Sequence, residues 1–396
     1  MRSVSRVVAG LLLGSVLASP QPAAAQTASA QTVKVGVMLP TTGPGAALAT
    51  QMRAAYELAL SHLGGKLGGR DTQLIYVDTQ AKPEVARELA DELIKSQKVQ
   101  FITGVLFSNL VVALHAPITQ AEVFFVEPIG GPAPLAGARC SNFFFNLSAQ
   151  NDQVAEAMGM HLAAKKINKL YAITANYQAG KDMVSGMKRF YTGGLAGEVY
   201  TRFGQLDFAA ELSSLRDAAP DAVFTFYPGE MGVQFVKQYS QLGLLDKIPL
   251  YAVWTVDQLS LPAIGDAAIG VEGAGVWSVD LPNPVNQKFV TDFKAKTGVL
   301  PNDYAATSYD SLILIDSALK KVANLDDKAK LSAALHAADF KSVRGNFKFG
   351  VNNFPIQDYK LRKVVKNDKG ELITQTTAQV AADAVDAYAK DCKLQH

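Results

Sequence analysis

The stretch "VGVMLPTTGPGA", Val35–Ala46, decides how the chain is read. An apolar run ends at Pro40, a turn rich in Gly and Thr follows, and a helical pattern starts at Ala46. A continuous apolar run closed by turn residues marks a strand buried on both faces, as in a parallel sheet. Strand, glycine turn and helix in that order also form the geometry in which nucleotide enzymes hold phosphate. The nucleotide motif fails here at several points. Neither Gly43 nor Gly45 begins a GxxxxGK[ST] pattern. Gly43-Pro44-Gly45 opens GxGxxG, but Leu48 stands in the third glycine's place and Pro44 lacks an N–H. The ribose-binding acid of such folds lies about 20 residues on, at a strand end; Asp71 is later and precedes the next strand. The turn is therefore read as a seat for another anion. Thr41 and Thr42 add hydroxyls, the helix start adds unpaired N–H groups, and a carboxylate fits. The alternative is that one of these threonines merely caps the helix.

Outward from this stretch, strands and helices alternate. "VKVGVML", "TQLIYVD", "VQFITGV" and "VFFVEPI" read as strands, with helices over Ala46–Leu63, in "KPEVARELADELIKSQ" and from Asn109. The pattern then restarts. The helix "NDQVAEAMGMHLAAKK" leads into strands "KLYAITA", "GEVYTRF", "DAVFTFY" and "IPLYAVW", with helices such as "EMGVQFVKQYSQLG" between them. Such alternation predicts two α/β halves, each a parallel sheet with helices on both faces. Three later helical patterns, starting at Asn283, Asn302 and Asp327, bring no buried strands and are assigned to the first half. In the tail, "VRGNFKFG", "YKLRKVVK" and "ELITQTT" read as edge strands, and a last helix is expected to carry Cys392. The chain then crosses between halves more than once, which makes a hinge.

Composition narrows the function. At 396 residues and 48% apolar the chain is globular, with room for two domains. Arg2 and Arg6 are the only charges among the first 25 residues; without them basic and acidic residues balance at 36 each. That balance excludes the clustered basic excess of a nucleic-acid binder. The two arginines, the run "VVAGLLLGSVLA" and the small residues Ala23 and Ala25 read as a secretory signal peptide over 1–25, with a second cleavage site after Ala30. Two cysteines in an exported chain, Cys140 and Cys392, point to one disulfide, with two buried thiols as the alternative.

In parallel sheets ligands bind beyond the carboxyl ends of the strands. Six loops lie there: "LPTTGPG", "GVLFSNL", "VEPIGGP", "TANYQAG", "TFYPGEM" and "AVWTVDQ". The first half offers Thr42, Ser108, Asn109, Gly130 and Gly131, small polar groups and open backbone suited to an anionic head. The second offers Tyr177, Tyr227 and Trp254, joined by Phe107, which suit an apolar body. Catalytic sets are missing. The five histidines form no HExxH pattern, GxSxG does not occur, and Glu127 and Glu230 are lone carboxylates. No cofactor is implied. "NLS" at Asn146 matches a glycosylation acceptor, a weak signal.

The exported N-terminus, "VKVGVMLPTTGPGA", "FFVEPIGGPAPLAG", "NYQAGKD" and "YDSLILIDSALKK" together resemble the branched-chain amino-acid type of periplasmic binding protein, the substrate-binding component of an ABC transporter. The resemblance runs from about Thr32 to Ala338. It implies a type I fold: two doubly wound α/β lobes, a multi-crossing hinge and a ligand in the cleft. Residues 32–150 and 278–344 form one lobe, and 151–277 and 345–396 the other. It further implies that the loop of Thr41 and Thr42 meets the ligand, that Ser108 binds its carboxylate, and that Ile129, Gly130 and Gly131 add backbone contacts. Its partners would be a small carboxylate and an inner-membrane permease, with the receptor a periplasmic monomer. Amino-acid binders of this family place a glutamate for the ligand's ammonium where this chain reads "AVWTVD". Trp254 and Thr255 stand there, with Asp257 slightly further on, and Leu48 replaces an early helix aromatic. The reading is therefore an aromatic or other apolar acid. Under one alternative, a branched-chain amino acid or amide, Asp257 or Glu230 would have to reach the ammonium; under another, the same fold is a ligand sensor that feeds a regulator.

Overall fold

The computed structural model describes residues 1, 3–5 and 31–395; the signal-peptide assignment lies almost wholly outside them. The strands are β1 (Val33–Leu39), β2 (Lys66–Leu67), β3 (Arg70–Asp78), β4 (Phe101–Thr103), β5 (Phe124–Glu127), β6 (Phe144–Asn146), β7 (Lys169–Ala175), β8 (Gly194–Thr201), β9 (Ala222–Phe226), β10 (Leu250–Ala252), β11 (Glu272–Gly275), β12 (Lys348–Phe349), β13 (Pro355–Lys366) and β14 (Leu372–Ala384). The helices are α1 (Ala46–His62), α2 (Pro83–Lys95), α3 (Ser108–Gln120), α4 (Ala133–Ala136), α5 (Asn151–Ala164), α6 (Gln178–Phe190), α7 (Ala209–Ala218), α8 (Glu230–Gln241), α9 (Leu261–Ile264), α10 (Pro284–Thr297), α11 (Asp303–Lys321) and α12 (Lys328–His336).

Two sheets result. The first has the order β2-β3-β1-β4-β5-β6 and the second β12-β13-β11-β10-β9-β7-β8, with β14 on β13. Strands joined through helices pair in parallel: β1 with β3 and β4, and β7 with β8 and β9. β1 and β7 are apolar almost throughout and buried on both faces, as helices on each side require. The order in which successive strands are added reverses at these two strands, and crevices for ligands open at such switch points. α10 and α11 pack on α1, and α12 on α11, so these helices cover the first sheet. Local signals fix their starts: Asn283 and Asn302 accept the N–H groups of Asn286 and Ala305 from their side chains.

The chain passes between the sheets after β6, after β11 and after α12. Buried ion pairs sit beside these passages: Arg344 Nε with Asp310 Oδ2 at 3.3 Å, and Arg362 Nη1 with Asp303 Oδ2 at 2.7 Å. A bond between Cys140 and Cys392 ties the tail to the loop before β6. Among the described residues the expected last helix is absent. β14 runs on to Ala384 because β13 offers a paired edge, and Cys392 follows a single 3₁₀ turn at Ala389–Asp391. Strand β6, only three residues long, is not separable in the sequence from the aromatic run around it.

Candidate functional site

A pocket opens at the carboxyl ends of β4, β5, β7, β9 and β10, with about 410 Å3 of space not filled by atoms. Phe107, Ser108, Ile129, Gly130, Tyr177 and Trp254 border it, together with Ser148, Ala149, Asn151, Phe226 and Tyr304, which the sequence reading did not single out. The halves touch around it. Phe107, before α3, stands edge-on to Phe203 and Tyr177 with ring centroids 5.0 and 6.1 Å away. Tyr177 stacks on Phe226 at 5.9 Å, and Trp254 meets Tyr304 edge-on at 5.5 Å. Trp254 has a φ of 52°, rare for a bulky residue, and backbone outliers of this kind gather at ligand sites.

The border carries no Asp, Glu, Lys or Arg. Its polar end is neutral. Ser108 is the first residue of α3, where backbone N–H groups have no acceptor within the helix and the dipole is positive. Its Oγ accepts from Asn151 Nδ2 at 3.1 Å, so its own proton is free for a ligand. Ser148 is 1% exposed and its Oγ has no hydrogen-bond partner among the described residues. Asn151 also donates to Asp182 Oδ2 at 2.8 Å, and Ala133 N reaches the same oxygen at 3.2 Å. Asp182 on α6 thus joins the second half to the loop after β5. Its burial, with the hydrogen bond from Asn151 opposing, pushes its carboxyl up to about 6.

Several expected contacts are placed elsewhere. Thr41 and Thr42 do not border the pocket. Their turn holds an anion from the chain itself: Asp78 Oδ1 accepts from Thr41 N at 2.9 Å and Thr42 N at 3.3 Å, and Oδ2 from Thr42 Oγ1 at 2.6 Å. Although desolvation raises the Asp78 carboxyl, these bonds and one from Gln80 N outweigh it and hold it below the usual carboxylate range. Neither threonine caps α1; Gly45 is the N-cap, at φ 91°, and a Cβ there would lie 2.9 Å from the Phe107 ring. The turn therefore backs the pocket wall and does not touch its interior.

The backbone of Ile129–Gly131 is likewise occupied. Ile129 N and Gly130 N each donate to Glu127 Oε1 at 2.9 Å, and Gly131 N donates to Asn151 Oδ1 at 3.0 Å. Glu127 is fully buried, and desolvation raises its carboxyl well above the ordinary value. Gly131 packs so closely that a Cβ would fall 1.8 Å from the Ala149 carbonyl oxygen. Tyr227 belongs to the second core: its Oη pairs with Thr201 Oγ1 at 2.9 Å and its ring lies among Phe208 and Phe235. Asn109 does not border the pocket. Asn146 is fully buried, its amide bonded to Gly130 O, so the sequon carries no exposed acceptor.

The two carboxylates considered for an ammonium are also committed. Asp257 accepts from Ser260 N at 2.9 Å and from Asn302 Nδ2 at 2.9 Å. Glu230, in the first turn of α8, accepts from Gln234. Neither borders the pocket.

The family model described as "Periplasmic binding protein" matches residues 32–371. A curated relative from Brucella melitensis, "Leu/Ile/Val-binding protein homolog 6", is 27% identical over 358 residues, 88% of this chain and 91% of that protein. Two solved solute-binding proteins of ABC transporters share the fold. One from R. palustris, in complex with benzoate, has a TM-score of 0.85 and 29% identity over 92% of this chain and 100% of its own. One from Rhodopseudomonas palustris BisB5, in complex with 3,4-dihydroxybenzoic acid, has a TM-score of 0.82 and 31% identity over 90% and 99%.

Proposed function

The chain belongs to the periplasmic binding protein family of substrate-binding receptors, and on that premise we propose that it is the extracytoplasmic receptor of an ABC importer for an aromatic carboxylate. The observation that carries this is the pocket border: aromatic side chains, a helix N-terminus and two serine hydroxyls, with no charged side chain. A ligand ammonium left there without a carboxylate would cost several kcal/mol. A carboxylate needs no cation where a helix start and hydroxyl donors meet it. In this reading Ser108, Ser148 and the first N–H groups of α3 hold the carboxylate. Phe107, Tyr177, Phe226 and Trp254 enclose the ring, where flat apolar area and edge-to-face contacts favour it. The solved relatives with benzoate and 3,4-dihydroxybenzoate support it. The Leu/Ile/Val name of the curated relative points the other way, and the absence of a free carboxylate at the border weighs against that ligand.

Function follows from closure. Residues 32–150 and 278–344 act as one lobe, and 151–277 and 345–396 as the other. Ligand bound between them shifts an open–closed equilibrium toward the closed form, and the closed monomer docks on the permease after export by the cleaved leader. Native mass spectrometry of protein purified without added ligand tests the reading. An aromatic acid carried through is the expected result; a branched-chain amino acid carried through overturns it.

A further inference from the structure

Two phenols at the pocket border lack an adequate partner. Tyr304, at the start of α11, is 3% exposed, and its Oη reaches only the Trp254 carbonyl at 3.5 Å, the outer limit of a hydrogen bond. Tyr177, the N-cap of α6, is half-buried against Phe107, Phe203 and Phe226, and its Oη, open to the pocket, makes no hydrogen bond among the described residues. A tyrosine hydroxyl cut off from water, as Tyr304 is and as Tyr177 becomes once a ligand fills the pocket, ordinarily finds a partner, because leaving it bare forfeits what water gave it. Both phenols stay protonated at neutral pH, since burial raises them far above their ordinary value.

Their surroundings select what such a partner is. The ligand carboxylate already has Ser108, Ser148 and the start of α3, so the phenols are left for a neutral group. A neutral hydroxyl, which both donates and accepts, suits two phenols that can do the same. Both residues border the same pocket, and Trp254, edge-on to Tyr304, lines it with them.

We propose that Tyr177 and Tyr304 form a second polar station that binds a hydroxyl on the ligand's ring, so that the preferred cargo is a hydroxylated aromatic acid and not its unsubstituted parent. This rests on the aromatic-acid reading above. Calorimetry of the mature protein with benzoate, 3-hydroxybenzoate and 4-hydroxybenzoate tests it, alongside Tyr177→Phe and Tyr304→Phe. The wild type binds one hydroxybenzoate about tenfold or more tightly than benzoate, as one buried hydrogen bond provides. Each variant loses that preference, its hydroxybenzoate affinity falling about tenfold more than its benzoate affinity. Benzoate bound by the wild type as tightly as both hydroxybenzoates overturns the inference, whether or not the variants fold. So does an equal loss for benzoate and hydroxybenzoates in folded variants, which would assign the phenols to the carboxylate. If none of the three acids binds, the aromatic-acid reading itself fails, and the inference with it.

Discussion

Ser108 and Thr42 look alike in sequence, each a hydroxyl in a strand-end loop at a helix start, yet the fold gives them different work. Ser108 opens the pocket's polar end with a free proton, whereas Thr42 spends its hydroxyl on Asp78. Ser108→Ala is expected to weaken benzoate binding about 10- to 100-fold, the worth of a hydrogen bond to a charged group, with an unchanged circular dichroism spectrum. Thr42→Val is expected to leave affinity within about twofold and to lower stability by about 1 kcal/mol, read from urea unfolding. The turn's affinity for an anion is legible in the sequence; which anion is not, because Asp78 arrives from the end of β3, a tertiary pairing. Tyr227 shows a second limit. An aromatic pair at a strand end announces bulk, but alternation sends Phe226 to the pocket and Tyr227 to the second core. Which of the two faces inward depends on register, and that is set by the neighbouring strands. Tyr304 carries no local mark at all, since helical periodicity does not separate a cleft position from a core one.

Among the elements, the loop after β5 and helix α6 are coupled through Asp182. Its folded value of about 6 lies above the ordinary one, so the native state binds more protons than the unfolded chain between the two values. The Asp182 contribution to stability is therefore full below about pH 4 and is lost as pH rises through about 6, a change on the order of 3 kcal/mol. Asp182→Asn keeps an acceptor for Ala133 N, and Gln178 can turn its amide to match. This variant is expected to flatten that part of the pH dependence of thermal unfolding; an unchanged slope would remove Asp182 from the account. Gly131 constrains the same loop. Gly131→Ala brings a Cβ against the Ala149 carbonyl and is expected to abolish ligand binding or folding, scored by calorimetry and solubility. Long apolar strands such as β1 and β7 were readable because burial on both faces leaves a continuous run. The tail was misread because alanine-rich sequence favours helix in isolation, and pairing with β13 overrides that preference.

At the scale of the molecule, the tail links both sides of the cleft. Tyr388 Oη donates to Asp152 on α5 at 2.8 Å, and Cys392, four residues on, is bonded to Cys140 in the loop before β6. The bond closes a loop of 252 residues, for which chain-entropy reasoning gives about 5 kcal/mol. Reduction, or Cys140→Ser with Cys392→Ser, is expected to lower the melting temperature by several degrees and to widen the ligand-free distribution of lobe separations in small-angle scattering. The two-lobe architecture and its crossings were legible from the restarted alternation of strands and helices. The central claim concerns what the cleft takes: an acid with an apolar ring and no ammonium. Calorimetric titration of the ligand-free protein with benzoate and with leucine tests it most directly. The account predicts saturable benzoate binding and no detectable heat from leucine; tight leucine binding without any response to benzoate would contradict it.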